Sequence, residues 1–411
     1  MVLEGWSLKT LESAKIKVID GDRGKEYPKA GDFLETGYCL FLSAKNVTKA
    51  GFLFEELQFI NEDKDKKLRK GRVERGNIVL TTRGSVGQFA YFDNSVRYDV
   101  MRINSGMVVI DATQSELLPE FFYALCRSYL VAKQIEAASF GSAQPQLTVG
   151  IIKGIKLPIP SLPEQKKIAK ILSTWDQAIV TTEQLLACSQ QQKKALMQQL
   201  LTGKKRLLDK NGLRFSGEWK SYKFGNLFKE RVEIGHDYLP LLSITAEDGV
   251  VYQIDTGRKN TSNEDKSKYR RICVNDIGYN TMRMWQGRSS LSDKEGIVSP
   301  AYTIVTPTEK VCPIFAAYLF KLPELIHVFY RHSQGLVSDT WNLKFNHFKI
   351  ISWKFPNIEE QQKIAAVLST ADQEITVLQQ KIAALKQEKK ALMQQLLTGK
   401  RRVKTKDKEV S

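Results

Sequence analysis

The chain has 411 residues and carries 62 Lys and Arg against 45 Asp and Glu, a net charge of +17. That length allows two to three domains, and the cationic excess favours a polyanionic partner, nucleic acid before an anionic membrane, with general surface basicity as the plainer alternative. Five scattered cysteines (Cys39, Cys126, Cys188, Cys273, Cys312) include no CxxC pair, which argues against a disulfide framework or a zinc site. The first residues lack a signal-peptide pattern and no apolar run is long enough to span a bilayer, so a cytoplasmic protein without membrane attachment is expected.

In chain order, residues 1–157 read as an α+β globule. It opens on GWSLKTL and continues with the apolar strand CLFLSAKNV, a charged loop, and the strand NIVLTTRGSVG that enters an Arg/Gly loop. The strand MVVID, one helix in PEFFYALCRSYL, and the polar stretch and strand GSAQPQLTVGIIKGIKLPIP complete it. Residues 158–207 read as one long helix. Residues 208–356 repeat the globule more loosely, with EWKSYKF, YLPLLSITAEDG, DIGYNTMRMWQGRSS, YTIVT, PIFAAYLFKLPEL and QGLVSDTWNLKFNHFKIISWKFP in matching order. Residues 357–403 are a second long helix, and 404–411 a charged tail.

The two helices are a duplication. Residues 162–207 and 358–403 align without a gap, more than half of the positions are identical, and KKALMQQLLTGK recurs unchanged. A heptad fits both copies. In the first, one seam position holds Ile168, Trp175, Thr182, Ser189 and Leu196, and the other holds Leu172, Ile179, Leu186, Lys193 and Leu200. In the second the sets are Ile364, Ala371, Leu378, Leu385, Leu392 and Leu368, Ile375, Ile382, Lys389, Leu396. Thr182 and Ser189 weaken the first seam. The seam lysines are expected to snorkel or to mark where the seam opens toward a partner. Trp175 facing Ala371 suits interdigitation of unlike helices; sequence drift explains the difference equally well. Gly203 and Gly399 supply helix stops.

This order of elements dictates geometry. If the helices pair along their seams they run antiparallel, giving a pseudo-two-fold arrangement with a stiff connector of about 57 Å. Sites one DNA turn apart are about 34–36 Å apart, so two unlike readers are expected on an asymmetric split target with an unread spacer.

The paired globules, the duplicated helix, the ends ALMQQLLTGK (195–204 and 391–400) and the junction LPIPSLPEQKKIAKIL resemble the specificity (S) subunit of type I restriction–modification systems over essentially the whole chain. The second junction departs from that pattern, reading FPNIEEQ, yet Glu360, Gln361 and Lys363 still match Glu164, Gln165 and Lys167. The resemblance implies a non-catalytic subunit that binds a bipartite double-stranded DNA target and recruits two methyltransferase (M) and two restriction (R) subunits. No cofactor is expected in this chain; S-adenosylmethionine, ATP and Mg belong to the partners.

Catalytic signatures are missing from the sequence. There is no GxxxxGK[ST] loop, no GxGxxG and no [DNS]PP[YF] tetrapeptide, and the four histidines lack ligand spacing. The competing readings are a coiled-coil protein–protein adaptor without DNA specificity and a nuclease with an unrecognised site. Expected DNA contacts begin with the Arg/Gly loops. Thr81, Arg83, Gly84 and Ser85 place a forked donor and a close backbone approach, and Arg283, Trp285, Gln286 and Arg288 offer similar groups, with Trp285 alternatively a packing residue. Gln144 and Gln146 suit bidentate contact to adenine, and Lys45 and Asn46 follow a strand end. The basic runs Lys64–Arg72 and Arg258, Lys259, Lys266, Lys268, Arg270 and Arg271 suit phosphates, or form a solvated surface.

Overall fold

The computed structural model describes residues 4–139, 146–245, 249–257, 265–336 and 340–404. The fold class is α+β, and the chain divides into two compact units: Met1–Thr182 with Lys381–Ser411, and Glu183–Gln380. Each unit holds one globule, the start of one long helix and the end of the other.

In the first unit two four-stranded sheets pack together. One has the order Lys17–Asp20, Met107–Asp111, Ile78–Thr81, Phe89–Tyr91, and the other Phe59–Ile60, Cys39–Leu42, Met101–Ile103, Arg72–Val73. Successive strand side chains alternate between faces. Ile78, Leu80, Val108 and Ile110 therefore meet the helices through Phe121, Phe122 and Leu125, while Val79, Met107 and Val109 meet Leu40, Leu42 and Met101 of the second sheet. Burial on both faces is why NIVL and MVVI are apolar without alternation. Ser7–Thr10 pairs with Lys156–Ile159 and ties the globule's two ends together.

The second unit repeats the first of these sheets as Phe228–Arg231, Tyr302–Pro307, Ile277–Asn280, Ser289–Leu291, and has two two-stranded sheets, Leu242–Ile244 with Val250–Tyr252 and Arg270–Ile272 with Gly296–Val298, in place of the other. Ile277, Tyr279 and Val305 face Phe315, Phe320 and Phe348, and Ile304 faces Leu242 and Ile272 on the other side. A Cβ at Gly278 would stand 2.2 Å from Ile244 Cδ1, so a larger residue at this strand position requires the Ile244 side chain to move. Lys220–Lys223 pairs with Ser352–Phe355.

Three local expectations change. The single helix expected over PEFFYALCRSYL and over PIFAAYLFKLPEL is in each case a pair, Pro119–Cys126 with Tyr129–Ser139 and Pro313–Leu319 with Pro323–His332. Pro323 has no N–H to continue the preceding helix and instead starts a new one. Val149–Lys153, capped by the Thr148 hydroxyl, is a short helix where a polar stretch was expected. Glu62–Lys67, capped by Asn61, is a helix inside the expected charged loop.

The long helices are Leu162–Leu200 and Ile358–Leu396, 39 residues each. Gly203 and Gly399, both at φ +71, end them, with Lys205 N–H on Gln199 O and Arg401 N–H on Gln395 O closing the last turn. Every seam residue is buried or half-buried, whereas the off-seam Val180, Leu185 and Val377 are exposed. In the first unit Asp176 pairs with Lys389; in the second Ser189 bonds Glu374 and Asp372 pairs with Lys193. Residue numbers rise on one helix as they fall on the other, so within each unit the helices run antiparallel. That register places Asp176 beside Lys389 and Asp372 beside Lys193. Trp175 and Ala371 thus occupy corresponding places in separate pairings and do not oppose each other. The seam lysines do not snorkel freely; each holds an aspartate. No helix among the described residues is long and apolar enough to cross a membrane.

Candidate nucleic-acid interface

In the first unit, strand register fixes which loops share an end. Met107 lies opposite Thr81, Val108 opposite Asp20, and Ile103 beside Leu42. Segments 20–24, 43–46, 82–88 and 104–106 therefore emerge together. Backbone bonds knit them: Thr82 N–H and Oγ1 both donate to Gly106 O (2.8 and 2.9 Å), Arg83 N–H donates to the same oxygen (3.2 Å), and Leu147 N–H donates to Thr82 O (3.1 Å). Gly84 and Gly87 hold φ of +71 and +84, the left-handed conformation this turn requires. Asp22 accepts from Gly24 N–H and Arg69 N–H, 2.7 Å each, and these backbone donors hold its carboxyl below the usual range.

Arg83 and Ser85 are exposed on this loop. Gln146 joins them: with its amide oxygen turned to the guanidinium, Oε1 accepts from Arg83 Nη2 at 2.9 Å and Nε at 3.2 Å. Gln144 lies outside the described residues. Thr81 is placed otherwise than expected. It is fully buried, its hydroxyl accepting from Gln88 N–H and donating to Ser85 O, so it shapes the loop and presents nothing outward. Asn46 is also buried; its Oδ1 accepts from Ser43 N–H, and Nδ2 donates to Leu53 O and Glu56 O. Lys45 is exposed and paired with Glu56. The first basic run is largely compensated rather than open to phosphate: Lys64 faces Asp32, Lys66 faces Glu62, Arg69 faces Asp22, and Arg72 faces Asp65 and Glu74.

The second unit builds the same frame from different residues. Thr281 N–H and Oγ1 donate to Ala301 O (3.1 and 2.8 Å), and Leu343 N–H donates to Thr281 O (2.8 Å). The residue after this threonine is Met282, 43% exposed, where the first unit has Arg83; Asn342 stands where the first has Gln146. Arg283 precedes the 3-10 turn Met284–Gln286, which ends at Gly287 (φ +73). Gln286 and Arg288 are exposed. Trp285 is a packing residue: its indole N–H donates to Met282 O, and its ring meets Trp341 edge-on at 5.3 Å, which in turn meets Tyr330 at 4.9 Å. Arg258 and Lys259 lie outside the described residues. Arg270 pairs with Glu230, and Arg271 with Glu233 and Glu295, so these two arginines of the run are compensated as well.

The sequence reading named Glu164, Gln165, Glu360 and Gln361 only as matching positions and missed what they hold. Glu164 and Glu360 begin the long helices yet are buried. Arg402 Nε donates to Glu164 Oε1 (2.7 Å) while Trp6 Nε1 donates to Oε2 (3.1 Å); Arg206 makes the matching pair with Glu360 in the other unit. Gln165 accepts from Leu118 N–H and donates to Glu116 O and Pro160 O; Gln361 repeats this with Cys312, Lys310 and Pro356. The signal was available: both copies carry Glu-Gln just ahead of the first apolar seam residue and Arg three residues past the terminal glycine. Among the described residues no group of three or more His, Cys, Asp or Glu side chains is disposed to hold a metal ion.

A family model described as the type I restriction modification DNA specificity domain matches residues 10–187 and 217–387. A putative type I restriction enzyme MjaX specificity subunit of Methanocaldococcus jannaschii is 24% identical, covering 85% of this chain and 84% of its own. The MjaVIII specificity subunit of the same organism is 25% identical over 74% of this chain and 75% of its own. Among solved structures, a chain of a type I R-M system complex aligns with a TM-score of 0.57 and 15% identity over 97% of this chain and 98% of its own. The S subunit from M. genitalium aligns with a TM-score of 0.57 and 14% identity over 96% of each chain. Both are likenesses of fold.

Proposed function

We propose, starting from the fact that this chain belongs to the type I restriction–modification DNA specificity family, that its two globules each read one half of a split, asymmetric duplex target. The chain is the non-catalytic, sequence-specific DNA-binding subunit of such a system. The observation that carries the split-target reading is the repeated frame, Thr82–Gly106–Leu147 in one unit and Thr281–Ala301–Leu343 in the other, which presents unlike residues from like scaffolds. Like scaffolds suit the two-fold relation of DNA strands, and unlike side chains suit unlike half-sites. The paired helices would then set the unread spacer. Two M and two R subunits would complete the assembly, and S-adenosylmethionine, ATP and Mg would be held by those partners. It would work in the cytoplasm.

Specific binding by the chain with its M subunit should weaken log-linearly as salt rises. Binding that is absent or indifferent to salt points to the protein–protein adaptor. Exchanging residues 1–157 for those of a relative should alter only one half of the methylated sequence; changes in both halves overturn the modular reading. Inserting four residues in each helix should lengthen the spacer by roughly 2 bp, and an unchanged spacer removes the helices as ruler.

A further inference from the structure

We infer that Arg83 and Gln146 act as one unit that reads a guanine in the half-site of the first globule, with Gln146 the positioning residue and Arg83 the reader. This rests on the specificity reading above and assigns a base to one loop of it. An arginine carries N–H donors on two edges. With its amide oxygen turned to the guanidinium, the orientation that satisfies both groups, Gln146 Oε1 takes the Nε–Nη2 edge, at 3.2 and 2.9 Å. The outer Nη1–Nη2 edge is left, two parallel donors with the spacing of guanine O6 and N7 in the major groove.

Three observations separate this pair from the other arginines of the globule. Arg23, Arg69, Arg72, Arg75, Arg102 and Arg127 each face a carboxylate, and Arg97 lies over the Tyr98 ring and donates to its hydroxyl, whereas among the described residues no carboxylate forms an ion pair with Arg83 and its only side-chain partner is Gln146. Gln146 is neutral, so it orients the guanidinium without cancelling the charge that draws DNA. The loop beneath is held by Thr82 and Leu147, and a side chain already oriented loses less freedom on binding. The same geometry decides against Gln146 as an adenine reader, because bidentate adenine contact needs the amide oxygen that Arg83 occupies. In the second globule Met282 and Asn342 stand in these places, and methionine offers no donor for guanine.

The test uses the full chain assembled with its M subunits, on duplexes carrying the sequence it methylates. The first globule's half-site is assigned by the 1–157 exchange. Replacing each guanine there by 7-deazaguanine, which lacks the N7 acceptor, should weaken binding roughly 5- to 150-fold at one position. Arg83→Ala should abolish that penalty and relax the methylated sequence at the same base, leaving the other half unchanged. Arg83→Lys should keep non-specific binding yet lose guanine preference. Gln146→Ala should reduce the preference, and Gln146→Glu, which still offers an oxygen to Nε and Nη2, should restore it at lower overall affinity. If wild type shows no sequence-selective binding, the specificity reading itself fails. Selective binding with no 7-deazaguanine penalty, or with one that survives Arg83→Ala, overturns this inference alone. So does an Arg83→Ala loss that is equal on all sequences and lowers the salt slope by about one, which marks a phosphate contact.

Discussion

Arg402 sits on the carboxylate of Glu164, joining the residue just beyond the second long helix to the first turn of the first long helix, 238 positions away. Glu164 is 3% exposed at its side chain and receives the Trp6 indole N–H on its other oxygen. Arg402 also donates to Glu4 O and lies over the Trp6 ring at 5.8 Å. The last described segment therefore completes the first unit. Arg402→Ala leaves a buried carboxylate without its counter-charge. Because the arginine itself is half exposed, the cost should fall near the low end of the range for a broken buried pair, about 3 kcal/mol. Denaturant unfolding measures it; a loss under about 0.5 kcal/mol would show that the carboxylate finds water instead.

The helix seam gives a sharper contrast. Leu172 and Leu368 are fully shielded, each in its own unit's core, whereas Val180 and Val377 are 48% and 60% exposed one face away. Leu172→Ala and Leu368→Ala should each cost about 2–5 kcal/mol, and Val180→Ala or Val377→Ala less than about 0.5. Equal effects at both kinds of position would mean that the seam is not what holds the helices.

Lys389 tests how a charge lives in that seam. Burial pushes its ammonium below its usual range, and Asp176 only partly restores it. A lysine with a depressed folded pKa is less ready to carry its proton in the fold than in the unfolded chain. The unfolded state binds more protons across that window, so stability rises as pH climbs toward the ordinary value of 10.5. Lys389→Met should flatten the rise and be neutral or mildly stabilising at pH 8, while Asp176→Asn should cost about 1–2 kcal/mol by leaving the cation alone. Unfolding curves at pH 8 and 10 distinguish these; a steeper rise in Lys389→Met contradicts the assignment.

The duplicated helices were legible because a heptad and a gap-free repeat are local signals, and the positions named for the seam are shielded along both copies. The Arg/Gly loop was legible as a loop because Gly84 needs a left-handed turn. What lay beyond the sequence was long-range. Nothing local tells that Thr81 points inward or that Asn46 binds the 53–56 segment. Nor could spacing tell that arginines of the basic runs meet acids far along the chain, since Asp22 reaches Arg69 across 47 positions. The matched threonine frames were invisible because each threonine bonds a backbone oxygen 20 or more residues away, Thr82 to Gly106 and Thr281 to Ala301.

Asp22 offers a pH-dependent handle on the end of the first globule that carries Arg83. Its carboxylate is buried and bridges two chain segments through Gly24 N–H and Arg69 N–H, with the Arg69 guanidinium 3.8 Å away. Those donors favour the ionised form and hold the pKa below the ordinary 3.8. A depressed carboxylate contributes stability that is fully present above its unfolded value and is lost as pH falls through the folded one. Asp22→Asn keeps the size but weakens charged hydrogen bonds worth about 1.5–3 kcal/mol. The variant should therefore be less stable than wild type at pH 6. The gap should narrow once pH drops below 3.8, as wild type itself takes up the proton. Paired unfolding curves at the two pH values provide the measurement. A gap that persists unchanged in acid would assign the loss to the altered side chain and not to its charge.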